Sequence, residues 1–275
     1  DHWPDYTDIA PGGLCDQLIL IRALCRDAIH ILELTLVTQE AWPELHRAAE
    51  YRVEVFSQAA KVLQKTDARY RDFRKRIVKD EEYASSVGAW IADRLPLARG
   101  PARVHALNEI AVFQLGIGPA CVMRVKALFS HKTYVYPGHW DTNAKGETVW
   151  VVKGKEMYQN PAITCVLRSV YFGSFSALGY KFKEFYISSH PDESDPELTI
   201  PLVALAATGV HTALDSWKTG RYNKHDTKLN KFSGDMFKTI YQHHIKHLED
   251  LKENHLAYFH RTMSQIYTAV VYVYI

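Results

Sequence analysis

The stretch TIPLVALAATGVHTALDSWKTG, residues 199–220, decides the fold class. Thr199 stands at an N-cap position and Pro201 in the first turn, where a missing backbone N–H costs nothing. From Ile200 to Leu214 apolar side chains fall on every side of a 3.6-residue helix, which reads as a helix buried on most faces. Gly220 sits where a left-handed cap ends it. Such a helix must be covered by others.

Downstream, Ser233 caps a helix carrying Met236, Phe237, Ile240, Tyr241, His244, Leu248 and Leu251 on one stripe, and Asn254 caps a last one through Phe259, Met263, Ile266 and Val270. Trp217, Leu214, Phe237, Ile240, His244 and Phe259 are expected to converge in one core. Upstream, Leu14, Leu18, Ile21, Cys25, Ile29, Leu32 and Leu36 recur at helical spacing. A second helix begins near Pro43, with Val53, Phe56, Ala60 and Leu63 inward. Asp67 caps a third, with Tyr70, Phe73 and Ile77 inward. A fourth carries Tyr83, Val87, Trp90 and Ile91 and ends before Pro96, and Pro101 and Pro119 each open another. Asn160 and Pro161 supply the cap and first-turn proline of a helix through Val170. Only Tyr134–Tyr136 and Val149–Val152, on either side of Pro137 and Asn143–Gly146, read as β, a short hairpin. The sequence thus predicts an all-α fold with one hairpin near 134–152. It reads as a single domain over 12–275 behind an extension at 1–11, with the acidic, proline-punctuated loop 188–197 as an internal boundary.

With 275 residues, 47% of them hydrophobic, the chain buries an ordinary core, and a net charge of +2 announces neither a nucleic-acid nor a membrane partner. Any electrostatic function is therefore local. Cys15, Cys25, Cys121 and Cys165 form no CxxC pair and read as reduced and mostly buried. No run approaches a membrane span, and residues 1–11 lack a basic-then-apolar leader pattern. The expectation is an intracellular protein, nuclear or cytoplasmic, without a membrane partner.

Two basic groups carry the sharpest functional signal. Arg69, Arg71, Arg74, Lys75, Arg76 and Lys79 surround the polar side of one helix, with 71, 75 and 79 in register. Lys218, Arg221, Lys224, Lys228 and Lys231 lie in or beside one loop with Trp217 and Tyr222 interleaved. A cationic stripe and a cation–aromatic loop on one shared surface suit phosphate contact and base stacking. Asp72, Asp80, Glu81 and Asp226 dilute both, which is also the pattern of an ordinary solvated face.

Signals for other chemistry are weak. His243, His244, His247, His255 and His260 form the strongest cluster of potential ligands. His243 and His247 share a helix face at zinc-ligand spacing, but no carboxylate or thiolate completes the motif nearby, and His244 on the apolar stripe reads as a core histidine. The acids Asp192, Glu193, Asp195 and Glu197 lack the glycine and alternating oxygens of a calcium loop and read as a solubilising loop. No nucleophile elbow, P-loop or dinucleotide fingerprint occurs. Neither a metal nor a cofactor is expected, and no catalytic residue stands out.

The residues Ile200–Leu205, Leu214, Trp217, Thr219 and Gly220, followed by Phe232, Ser233, Tyr241, His244 and Leu248, resemble the signature of a domain of unknown function found in mushroom-forming basidiomycete fungi. Upstream, Arg69–Lys79, Asn160–Ile163 and the Tyr171–Phe172 pair fall in the same order. The resemblance implies an intracellular, mainly helical fungal protein and transfers no activity to any residue. The leading expectation is a binding or scaffold module with an unknown protein partner and nucleic acid as a further partner class. The competing one is an enzyme or small-molecule binder with an aromatic pocket lined by Trp140, Trp150, Tyr171, Tyr180 and Trp217.

Overall fold

The computed structural model describes residues 18–42, 48–92, 94–223, 232 and 234–271. Helix makes up well over half of them, and the two-stranded antiparallel hairpin is their one sheet. The contacts form two compact units, residues 1–36 with 42–98, and residues 37–41 with 99–275. The loop 188–197 lies within the second.

The first unit holds α1 (Ile19–Thr38, up to Leu36), α2 (Ala48–Leu63), α3 (Tyr70–Lys79) and α4 (Glu81–Ala92). The predicted stripe of α1 is buried at Ile21, Cys25, Leu32 and Leu36, whereas Leu18 precedes the helix and is exposed. Leu14 and the helix start near Pro43 lie outside the described residues, as do the side chains of Trp90 and Ile91. Phe56 of α2, Phe73 of α3 and Tyr83 of α4 meet ring to ring, with centroids 5.9 and 6.0 Å apart. Asp67 accepts the Arg69 amide at 3.0 Å, and Asp80 accepts the Tyr83 amide at 3.0 Å, so each aspartate takes up an orphan donor at a helix start.

In α5 (Arg94–Asn108) both Pro96 and Pro101 lie inside the helix, so Pro101 does not open a new one. The seam between the units passes between Ala98 and Arg99, next to the Gly100–Pro101 pair. There the proline removes a backbone hydrogen bond from the helix.

The second unit is built around α9 (Ile200–Asp215), buried at every position from Pro201 to Val210. Its polar groups close on the helix itself. Thr208 Oγ1 donates to the Ala204 carbonyl at 2.7 Å, Thr212 to Thr208 at 2.8 Å, and Ser216 to Thr212 at 3.1 Å. Gly209 lets α5 approach, since a Cβ there would meet Ala102 backbone at 3.0 Å. α10 (Gly234–Asn254) packs along α9, and α11 (Leu256–Val271) follows after a break at His255. Asn254 does not cap α11: its side chain turns back to Asp250 Oδ1 at 2.9 Å. Ser233 lies outside the described residues. The chain segment 37–41 joins this unit where Tyr241 Oη accepts the Ala41 amide at 2.9 Å and Thr199 donates to the Val37 carbonyl.

The core expectation holds for Leu214, Phe237, His244 and Phe259, all buried. Trp217 and Ile240 are only half-buried. α9 ends at Asp215, so Trp217 falls in the turn that follows, its ring 5.8 Å from Tyr222. Gly220 closes that turn at φ +91°, with a Cβ position 2.7 Å from the Gly118 carbonyl oxygen, and side chains are excluded on both counts.

Pro119 opens α6 (Gly118–Phe129) as expected. The first strand of the hairpin lies after the expected Tyr134–Tyr136, whereas the second covers the expected Val149–Val152. β1 (Gly138–Thr142) pairs with β2 (Thr148–Val152) in a register that sets Trp140 opposite Trp150, while Tyr134 and Val135 lie in a buried 3-10 turn. Pro137 cannot donate to a ladder, so pairing starts after it. Asn160 caps α7 (Pro161–Val166) through the Ala162 amide at 3.0 Å, and the chain continues as a π turn through Tyr171 to the short α8 (Leu178–Lys181).

Candidate functional site

The cations of α3 are interleaved with acids. Asp67 holds Arg69 at 2.7 Å, Asp72 holds Lys75 at 3.2 Å, and Asp80 holds Arg76 at 3.2 Å. Arg76 also lies 4.0 Å over the Tyr83 ring. Arg74 reaches Gln64 Oε1 at 3.5 Å, and Arg71 and Lys79 are exposed without an ion pair among the described residues. In the second unit Lys218 pairs with Asp215 at 2.8 Å and Arg221 is exposed. Lys224, Lys228 and Lys231 lie outside the described residues.

The aromatic residues of the competing expectation each meet ring or backbone neighbours in the second unit. Trp140 and Trp150 pair across the hairpin at 5.1 Å, Tyr180 meets Phe172 at 5.5 Å, Tyr171 is buried, and Trp217 meets Tyr222.

His244 anchors a buried network. Its Nε2 is 2.8 Å from Tyr134 Oη, its Nδ1 is 3.0 Å from Tyr158 Oη, and that hydroxyl is 3.3 Å from His247 Nδ1. Tyr134, Tyr158 and His244 are fully buried. Burial, reinforced by His211, Lys132 and His247, pushes His244 well below the usual histidine range, so the ring is neutral with one N–H and one lone pair. The polarity of the chain follows. If His244 Nε2 donated to Tyr134, the buried Tyr134 proton would have no acceptor. Tyr134 therefore donates to Nε2, Nδ1–H donates to Tyr158, and Tyr158 donates to His247. His211, stacked on Phe129 at 4.3 Å, is lowered to about 4 by burial. Tyr158 holds φ +59°, a conformation costly for a bulky residue. With both nitrogens of His244 engaged and no solvent access, this cluster is a structural element of the core. The apolar stripe of the sequence already marks His244 as a core histidine, but no sequence signal pointed to Tyr134 or Tyr158 as its partners.

A second histidine is built differently. His260 of α11 places Nδ1 2.7 Å from Glu197 Oε1 and 3.2 Å from Ser188 Oγ. The same carboxylate oxygen accepts the Ser189 amide at 2.9 Å and hydroxyl at 3.0 Å. Both His260 and Glu197 are buried, whereas Glu193 and Asp195 of the same loop are exposed. A loop read from sequence as solvated thus buries one of its four acids against a histidine more than sixty positions away. His243 is exposed and His247 half-buried, and no carboxylate or thiolate joins them in a ligand cluster among the described residues.

In the first unit a cleft of about 570 Å³ opens between α2, α3 and α4. Its apolar lining is Val53, Ile77, Val78 and Ala84, and its charged lining is Glu50, Glu54 and Glu81 against Arg52 alone. Val78 is 71% exposed at its edge. Arg52 leans over Gly88, where an added Cβ would lie 2.8 Å from its Cδ. None of the α3 cations lines the cleft.

A family model, the domain of unknown function DUF6532, matches residues 27–251, and the chain belongs to that family. No curated protein and no solved structure matches it.

Proposed function

We propose that the chain is a protein-binding module whose first unit docks a basic, amphipathic helical segment of a partner between α2, α3 and α4. The observation that carries this reading is the cleft itself: an apolar floor with three carboxylates against one guanidinium in its lining. Its volume lies within the range of about 300 to 1,000 Å³ typical of binding clefts. Helix-in-groove recognition reads apolar anchors at three- and four-residue steps, and lysines flanking such anchors would meet Glu50, Glu54 and Glu81. The free thiols of Cys25, Cys121 and Cys165 support an intracellular setting, and the resemblance to basidiomycete proteins supports a fungal one.

The nucleic-acid reading ranks second. Arg71 and Lys79 favour it, but the acid partners of Arg69, Lys75, Arg76 and Lys218 already neutralise much of the charge it needs.

The test is fluorescence anisotropy on the full chain with a labelled 16-residue peptide bearing leucines at i, i+3, i+4 and i+7 and lysines elsewhere. Binding should weaken about 10-fold or more, some 1.4 kcal/mol, in Glu50→Lys/Glu54→Lys/Glu81→Lys, and also in Val78→Asp. A sister peptide with glutamates for lysines should bind poorly. Equal binding of both peptides, or no effect of the variants, would sink the proposal. Binding of mixed-sequence DNA or RNA with a steep salt slope lost in Arg71→Ala/Lys79→Ala would move the function to nucleic acid.

A further inference from the structure

We infer that His260, Glu193 and Asp195 form a binding site for a divalent transition cation of the zinc type. A ring nitrogen of His260 and one carboxylate oxygen from each acid lie within 4.8 Å of one another. The histidine comes from α11 and the acids from the loop before α9, so the fold and not sequence adjacency assembles the set.

The independent observation is the state of the imidazole. His260 is only 6% exposed, and its Nδ1 is engaged by Glu197. Among the described residues no hydrogen bond reaches its Nε2, and that atom is not among the buried polar atoms left without a partner, so it keeps access to solvent and to an incoming ligand. Glu197, an acceptor for Ser189 as well, fixes the tautomer with the proton on Nδ1. That leaves the Nε2 lone pair as the coordinating one. A carboxylate behind a histidine is the arrangement that orients imidazole ligands and raises their basicity in metal sites.

The donor set selects the ion. One imidazole nitrogen excludes the all-oxygen shell that calcium and magnesium prefer, and the lack of thiolate excludes a soft-metal site, so one nitrogen and two carboxylates suit zinc, cobalt or manganese with a position left for water. Bonds of about 2.0 Å in a tetrahedral shell put ligand atoms roughly 3.3 Å apart. Glu193 and Asp195 are exposed, and their side chains can rotate inward to close that gap while His260 stays fixed.

The proposal is independent of the peptide cleft, which lies in the other unit. Its test is a titration of the metal-free full chain with zinc in competition with a chromophoric chelator, alongside visible absorption of the cobalt complex. One equivalent should bind in the micromolar range or tighter. Glu193→Gln/Asp195→Asn, two exposed changes that leave the fold intact, should weaken binding about 100-fold. Glu197→Gln should weaken it roughly 10- to 100-fold, as loss of an outer-shell partner does. His243→Ala should leave it unchanged. No binding at micromolar zinc, unaltered binding in the double variant, or loss of binding in His243→Ala would each overturn the assignment.

Discussion

His244 and His260 are both buried imidazoles in the second unit, yet their surroundings give them opposite chemistry. His244 meets only hydroxyls and another ring, with both nitrogens satisfied, and burial keeps it neutral. His260 meets a carboxylate on Nδ1 and has a ring nitrogen within 4.8 Å of one carboxylate oxygen from each of two more acids. Burial alone makes a histidine a hydrogen-bonded spacer, and a carboxylate partner with an unclaimed lone pair makes it a ligand. Four substitutions and a pH series probe the comparison.

The largest effect belongs to His244→Ala. It opens a cavity and strips two buried tyrosine hydroxyls of their partner, so urea unfolding should show a loss of about 4 kcal/mol. A loss under about 1 kcal/mol would mean that the network is not a structural core.

Acid should act on the same cluster next. The folded pKa of His211 is depressed to about 4 from 6.5, so its contribution is fully present above pH 6.5 and is lost progressively as pH falls from 6.5 toward 4. From His211 alone this amounts to about 3 kcal/mol at one pKa unit per 1.36 kcal/mol, and His244 and His247 act in the same direction. Denaturation curves between pH 7.5 and 4 should slope less in His211→Gln, and an unchanged slope would refute the assignment.

Glu197→Ala removes the acceptor of the Ser189 amide, the Ser189 hydroxyl and His260 at once, a cost of about 2 to 3 kcal/mol in thermal or urea unfolding. Tyr158→Phe deletes one hydroxyl and leaves the His244 Nδ1–H without its acceptor, a cost of about 1 to 2 kcal/mol. If Glu197→Ala proved milder than Tyr158→Phe, the carboxylate site would be the less rigid of the two.

The fold was largely legible. The apolar run 200–214, the Asn160 cap and the stripes of α1, α3 and α10 follow from periodicity and capping, which are local properties. The displacements are local competitions as well. Pro137 delays the hairpin, Asn254 prefers Asp250 to a cap, and α9 stops two residues short of Trp217. The site was not legible. Sequence spacing compares residues on one helix, so it singled out His243 with His247 and set aside the acidic loop. The contact of His260 with Glu197 spans two elements and appears only once α11 is packed. The positive φ of Tyr158 has no sequence mark, since it belongs to a bulky residue with no glycine or asparagine to announce it.

The hydroxyl ladder of α9 has a consequence for how freely its surroundings can vary. Thr208, Thr212 and Ser216 each satisfy themselves four residues back along the same helix and require no partner from a neighbour. The helix is in this sense self-contained: it carries three polar groups through the interior while leaving every adjoining helix free to present hydrocarbon alone. Thr208→Val, which exchanges the hydroxyl for a methyl of similar size and frees the Ala204 carbonyl to its helical bond, should therefore shift stability by less than about 1 kcal/mol, the smallest change expected in this core.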